Sequence, residues 1–316
     1  MLKLKALLLT QGMHGMISQV EGLANALSLN FKHQTIELKK FWNIIPPKFT
    51  PLSKNILKNK FICDAKVIIS CGRKSVVPSI ILKKKFKNEI FNIHIQDPKV
   101  KLNNFDSIIC PEHDNLNGDN VIKTKGAIHY LTNDEIKRNI NYLKPNADGK
   151  KIVTFVLGGP NKYYDFSEKQ MKAMFAKIKN LFVVSKYKLI VIPSYRTPDN
   201  ILKLAHHYFN EDHLVIKERD KKAYLSSLGL SDIIIITCDS TSMISEAAIT
   251  GKPIYVANMK AKRNIYRFKK FYKLFKDLGI IRDLEEKIDF WGYNKLNEVN
   301  RAALLLKEQM KHNGII

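Results

Sequence analysis

Residues Ser231–Val256 read SDIIIITCDSTSMISEAAITGKPIYV. The apolar, β-branched run Ile233–Thr237 predicts a buried strand, and the hydroxyl-rich Asp239-Ser240-Thr241-Ser242 predicts a turn that opens a short helix. Gly251-Lys252-Pro253 ends that helix, and a second apolar strand runs on to Val256. Strand, helix and strand in this order form the repeating unit of a parallel α/β sheet. The first turn of such a helix has little side-chain bulk. It offers unpaired N–H groups and hydroxyls, with a dipole that favours an anion. Ser242 and Glu246 stand four apart on one helix face, where a carboxylate can accept from the paired hydroxyls of a ribose. The stretch also reads as an ordinary strand–helix–strand unit with a serine N-cap and a glycine C-cap.

Strand and helix signals alternate outward from it to both ends of the chain. Upstream, Ile152–Leu157 predicts a strand followed by a Gly-Gly-Pro turn, with a helix over Ser167–Leu181, a strand at Lys188–Ile192 and a helix over Pro198–Phe209. The first half opens in the same way: a strand at Ala6–Leu9, a glycine loop, then a helix with Ile17, Val20, Ala24 and Leu27 on one face and Ser18 and Glu21 spaced as a capping box. Further strands are expected at Thr35–Leu38, Val67–Ser70, Ile90–Ile95 and Ser107–Cys110, with helices over Leu52–Asn59 and Val76–Phe86. A charged helix at Asn133–Lys144 runs into Pro145-Asn-Ala-Asp-Gly149, a cluster of turn formers suited to a linker. The expected architecture is therefore α/β: two Rossmann-like domains with parallel sheets facing across a cleft, over residues 1–145 and 150–290, with a C-terminal helix in 291–316 packing back on the first domain.

Composition narrows the partners. With 316 residues and 45% apolar content the chain is globular, and no apolar run reaches the roughly 20 residues that span a bilayer. The N-terminal MLKLKALLLTQG lacks a small-residue cleavage site and reads as the first buried strand. Cys63, Cys71, Cys110 and Cys238 show no metal-ligand spacing, so a reducing, cytoplasmic setting without a metal site is expected. The formal net charge is +24, yet only eight of the 53 basic residues are Arg, a bias that A/T-rich codon usage alone would produce. The charge suits an anionic membrane surface, on whose inner face the protein would lie peripherally, or an acidic small molecule; no nucleic-acid-binding signature is present. In KAKRNIYRFKKFYKLFK, Lys260–Lys276, aromatics recur at helical spacing among lysines. That pattern fits a membrane-surface helix but more simply an aromatic stripe packed on its own domain.

The remaining candidates lie in loops after predicted strands. Gly12 and Gly15 in TQGMHGMISQ would let backbone approach a ligand, and His14 between them is a candidate general base. Gly158-Gly159-Pro160-Asn161 could cradle a diphosphate with bare N–H groups, Arg196 in Ser194-Tyr-Arg-Thr-Pro198 could pair with a phosphate, and Arg73 holds the matching place in the first half. Gln96-Asp97-Pro98 and Glu112-His113-Asp114 follow apolar strands, which makes Asp97 and Glu112 acid/base or acceptor-side candidates.

The ordered motifs TQGMHGMISQ, CGRKS, IQDP, FDSIICPEHD, LGGPNKYY, SYRTP and CDSTSMISEA…TGKPIYV resemble the mitochondrial fission "elongated mitochondria" family, over roughly Leu4 to Glu298. The family is similar to GT-B glycosyltransferases. The resemblance implies that Ser240, Ser242, Met243 and Glu246 hold the nucleotide and ribose of a nucleoside-diphosphate sugar, the donor substrate. It places Gly158, Gly159 and Asn161 near the diphosphate, with Arg196 as counter-charge. It also implies that Gly12–Gly15, Gln96 and Asp97 face the acceptor, with no metal or cofactor required; an envelope or lipid-linked acceptor would fit the basic charge and a peripheral membrane position. Bacterial relatives commonly carry a D-G-K-x-G loop where this chain has Gln11-Gly12-Met13-His14-Gly15. Two other functions share the same scaffold: a non-enzymatic membrane adaptor with a protein partner, and a nucleotide-sugar epimerase.

Overall fold

A computed structural model describes residues 4–58 and 63–316. The chain divides into two compact units, one formed by residues up to Tyr130 together with Asn297–Ile316, the other by Leu131–Leu296. Each carries one six-stranded, all-parallel sheet.

In the first unit the strands are β1 (Lys5–Thr10), β2 (Asn30–Thr35), β3 (Val67–Cys71), β4 (Phe91–Ile95), β5 (Ser107–Pro111) and β6 (Val121–Thr124), in the order β2-β1-β3-β4-β5-β6. Helices α1 (His14–Ala26) and α2 (Arg73–Phe86) supply crossovers, and the last helix of the chain belongs to this unit. The central strands β3, β4 and β5 are buried throughout and largely apolar; in β4 the polar Asn92 and His94 alternate with apolar residues and are paired with Ser79 and Ser70. β2 is different. The apolar Ile36 and Leu38 suggested a strand at Thr35–Leu38, but pairing ends at Thr35, and Leu38 makes only an isolated bridge to Leu57. As an edge strand, half exposed, β2 carries the polar sequence NFKHQT, which no apolar periodicity marks. The helix expected over Leu52–Asn59 is one 3₁₀ turn, Lys54–Ile56, and position 59 lies outside the described residues.

The second unit contains α3 (Asn133–Asn139), β7 (Lys151–Leu157), α4 (Glu168–Leu181), β8 (Tyr187–Pro193), α5 (Asp199–Phe209), β9 (Leu214–Val215), α6 (Lys221–Leu230), β10 (Ile233–Thr237), α7 (Thr241–Ala247), β11 (Ile254–Ala257), α8 (Tyr266–Asp277) and β12 (Ile281–Asp283). The sheet order β12-β11-β10-β7-β8-β9 is the 3-2-1-4-5-6 order of a dinucleotide-type fold. The direction of winding reverses between β7 and β10, and in open α/β sheets the carboxyl ends of the strands at such a switch point are where ligands bind. The register Leu157↔Pro193 and Ile236↔Val156 brings β7, β8 and β10 to an end at one level.

Two assignments differ from the sequence reading. α3 lies in the second unit, where Ile136 and Ile140 approach Gly229 of α6, so the unit begins before the turn-former cluster at 145–149. The chain after α8 stays with the second unit up to Leu296. Only then does α9 (Glu298–His312) bury Val299, Ala302, Ala303, Leu306 and Met310 in the core of the first, beside Val20, Leu23 and Ala24 of α1. The aromatic stripe of α8 faces inward, with Phe268, Phe271 and Phe275 buried, and leaves mainly charge on its outer side. Among the described residues no helix is long and apolar enough to cross a membrane.

Candidate functional site

At the switch point of the second unit, one carboxylate fastens three strand ends. Asp239 follows β10, and its side chain is inaccessible to solvent. Its Oδ2 accepts from Arg196 Nη2 at 2.6 Å and from the Gly159 amide at 3.2 Å, while its Oδ1 accepts from Thr237 Oγ1 at 2.6 Å. The Gly158 amide donates to Thr237 Oγ1 at 2.8 Å, and Arg196 Nη1 to the Gly159 carbonyl at 2.9 Å. Burial pushes the Asp239 carboxyl up from the ordinary carboxylate range, and the Arg196 guanidinium and the surrounding donors pull against it. The two glycines are required by contact. A Cβ on Gly158 would stand 2.0 Å from Asp239 Oδ1, and one on Gly159 would stand 1.9 Å from the Arg196 carbonyl.

These bonds correct the sequence reading of the glycine loop. Its amides are not bare: those of Gly158 and Gly159 are already engaged by Thr237 and Asp239. Asn161 acts as a staple, donating to the Asp239 carbonyl at 3.0 Å and accepting from the amides of Tyr163 and Tyr164. Arg196 is tied down as well, yet its side chain remains 37% exposed, and of the five donors of a guanidinium two are used among the described residues.

Beyond β10, Ser240 caps α7, its Oγ accepting from the Met243 amide at 3.3 Å. Ser242, Met243 and Glu246 are half-buried on this helix. Tyr224 of α6 donates to Glu246 Oε2 at 3.1 Å. Desolvation raises the Glu246 carboxyl to about 7, with the Tyr224 bond opposing the shift. Sequence reasoning missed Asp239 as the organising group and missed Tyr224 altogether. Asp239 was visible as the residue directly after a buried strand, but the spacing of Tyr224 in the α6 segment gives no signal of its contact.

In the first unit the candidates also sit at strand carboxyl ends, with less between them. Gly12 has φ +84 and meets Thr35, so glycine is needed there; Gly15 lies inside α1 with open space at its Cβ position, so no close approach explains it. Ser18, expected in a capping box, is within α1, which begins at His14. His14 is exposed and stands edge-on to Tyr130 at 6.2 Å. Asp97 is engaged by its neighbour: Oδ1 accepts from the Lys99 amide at 2.8 Å and Oδ2 from Lys99 Nζ at 2.5 Å. Gln96, at φ +83, lies 3.5 Å from Gln19 Oε1, and Glu112 is exposed on a 3₁₀ turn. Arg73 donates to the carbonyls of Asn43, Ile44 and Ile45, which holds its guanidinium against that segment.

Solved structures share this fold at low identity. The UDP-GlcNAc 2-epimerase of Neisseria meningitidis bound to UDP-GlcNAc is 12% identical with a TM-score of 0.52, over 98% of this chain and 100% of that one. MurG of Acinetobacter baumannii is 9% identical with a TM-score of 0.53, over 98% and 92%. The glycotransferase of kitacinnamycin is 10% identical with a TM-score of 0.53, over 99% and 96%. These likenesses establish a GT-B-like pair of Rossmann-like units. By sequence the chain is 26% identical to an uncharacterized protein of Rickettsia prowazekii, over 93% of this chain and 95% of that protein. It is 24% identical over 78% of its length to the mitochondrial fission protein ELM1 of Arabidopsis thaliana, of whose length it spans 64%. With residues 14–310 matched by the family described as Mitochondrial fission ELM1, the chain belongs to that family.

Proposed function

We propose that the second unit binds a nucleoside-diphosphate sugar at the carboxyl ends of β7, β8 and β10, and that the protein is a metal-independent glycosyltransferase acting on an envelope or lipid-linked acceptor. The observation that carries this reading is Glu246: a half-buried carboxylate one turn from Ser242, directly behind the switch point of a 3-2-1-4-5-6 sheet. A carboxylate there can accept from two vicinal ribose hydroxyls, and the unused donors of Arg196 can meet a diphosphate and stabilise it as a leaving group. The UDP-GlcNAc held by the Neisseria epimerase, a protein of the same fold, supports this choice of ligand.

Isothermal titration with UDP, GDP, CDP and their sugar conjugates, without added metal, tests the proposal. Binding of one nucleotide that is lost in Glu246→Ala supports it; unchanged affinity in that variant refutes the ribose role of Glu246. The internal engagement of the Gly158 and Gly159 amides favours a second reading, a scaffold without donor chemistry. In that case a folded protein binds none of the nucleotides.

A further inference from the structure

The segment between β2 and β3 presents an apolar surface that neither the fold nor the proposed donor site uses. Four large apolar side chains within residues 41–52 point to solvent: Phe41 (64% exposed), Ile44 (80%), Phe49 (66%) and Leu52 (45%). Single exposed apolar residues are ordinary; four together on one loop mark a contact surface. The loop is closed at its base, where Leu38 bridges Leu57 and the Lys39 and Lys58 amides donate to the Ile56 and Glu37 carbonyls, each at 2.9 Å. Trp42, Leu38 and Ile56 anchor it in the core. Arg73 holds the apex through the carbonyls of Asn43, Ile44 and Ile45, Asn43 Nδ2 donates to the Leu38 carbonyl, and Thr50 Oγ1 to the Pro46 carbonyl.

We infer that this clasped loop docks on an anionic lipid surface, with Phe41, Ile44 and Phe49 entering the interface. Three features select this partner. Lys39, Lys40, Lys48, Lys54 and Lys58 lie in or beside the loop, and no acidic residue occurs between Leu38 and Cys63; Glu37, at the base, pairs with Lys58 at 3.6 Å, so the charge carried by the loop itself is wholly positive. Anionic headgroups over an acyl interior complement that pairing of charge and apolar surface at the same depth. Many of the backbone carbonyls that would enter the interface already have donors, so moving them out of water leaves fewer polar groups unpaired. Lys48 Nζ lies 4.6 Å from the Phe49 ring centroid, so its stem covers apolar surface while its head can reach a phosphate. A second copy of the chain paired through the same loop fits poorly, because it would set one lysine-rich loop against another. α8 differs in kind: its aromatics are buried and leave mainly charge for contact.

The test uses the full chain carrying Trp291→Phe, which leaves Trp42, inside the loop, as the only tryptophan. It is mixed with vesicles of phosphatidylcholine alone or with phosphatidylserine added, including brominated acyl chains, and followed by co-sedimentation and fluorescence. The expected result is sedimentation and Trp42 quenching only with phosphatidylserine. Affinity should fall about tenfold or more in Phe41→Ser/Ile44→Ser/Phe49→Ser and about fivefold in Lys40→Gln. These positions are exposed, and an unaltered melting temperature shows that the variants fold. Sedimentation without quenching, or loss in Lys269→Gln/Lys270→Gln but not in the serine variant, assigns the contact to α8 and overturns the proposal. So does the absence of vesicle binding, including the case where a concentration-dependent dimer is abolished by the serine changes.

Discussion

Replacing Asp239 by Ala removes the acceptor that joins β7, β8 and β10. Three donors lose their partner together: Arg196 Nη2, the Gly159 amide and the Thr237 hydroxyl. Bonds to a charged acceptor contribute roughly 1.5–3 kcal/mol each when the donor stays buried. Breaking a buried ion pair by removing one partner costs roughly 3–5 kcal/mol. The loss falls at the low end of these ranges for two reasons. Arg196 is 37% exposed and regains water when released, and the fold no longer has to bury a carboxylate. About 3 kcal/mol is expected, which for a unit of this size lowers its melting temperature by about 6–12 °C. Two units need not unfold together, so the measurement should isolate the second. Urea unfolding in a Trp42→Phe background follows Trp291 alone, which packs on Tyr255 and Arg282 of that unit. Arg196→Ala and the double variant complete a cycle with an expected coupling of about 1–2 kcal/mol. A loss below about 1 kcal/mol for Asp239→Ala would refute the idea that this carboxylate fastens the strand ends.

Glu246 titrates near 7 when folded against 4.5 unfolded, so between these values the folded unit holds a proton that the unfolded chain has released. Its contribution to stability is full below pH 4.5, falls by roughly 3 kcal/mol as pH rises towards 7 and is flat above; Glu246→Gln should remove that slope from urea midpoints measured across the window. A Cβ at Gly22 would stand 2.5 Å from the His129 backbone, whereas one at Gly15 meets nothing, and both residues are in α1. Gly22→Ala should therefore destabilise the first unit by about 1–3 kcal/mol or more, while Gly15→Ala stabilises it by about 0.5–1 kcal/mol, as read from Trp42 fluorescence on denaturation. Leu306→Ala empties a fully buried position of α9 in the core of the first unit and should cost about 2–5 kcal/mol there, with no change at Trp291.

The buried strands were legible because a strand covered on both faces is mostly apolar along its length. Ile233–Thr237 was placed to the residue, and β1, β3, β7 and β8 within a residue or two. Elements escaped where burial is partial or total. β2 is a polar edge strand, and α6, with Ala223, Leu225, Ser226, Ser227 and Leu228 all buried, shows no clean amphipathic stripe. At the candidate site, sequence position located the strand-end loops but not the direction of their hydrogen bonds. Glycines at 158 and 159 suggest open amides equally well whether those amides face a ligand or, as here, a buried carboxylate 80 residues away in the chain. Arg73 shows the same limit: a basic residue after a strand reads as an anion ligand, and its sequence position gives no sign of the backbone carbonyls that it clasps.

The docking of α9 beside α1 has a consequence for how the chain is made. Residues 131–296, the whole second unit, are interposed between β6 and the helix that completes the core of the first. During synthesis the second unit leaves the ribosome with all of its strands and can close at once. The first unit, although its sheet emerges earlier, exposes the apolar face that Val299, Ala302, Ala303, Leu306 and Met310 will cover until those residues have been added. The part translated first is thus the part finished last, and a nascent chain stalled anywhere before residue 298 carries an uncovered core.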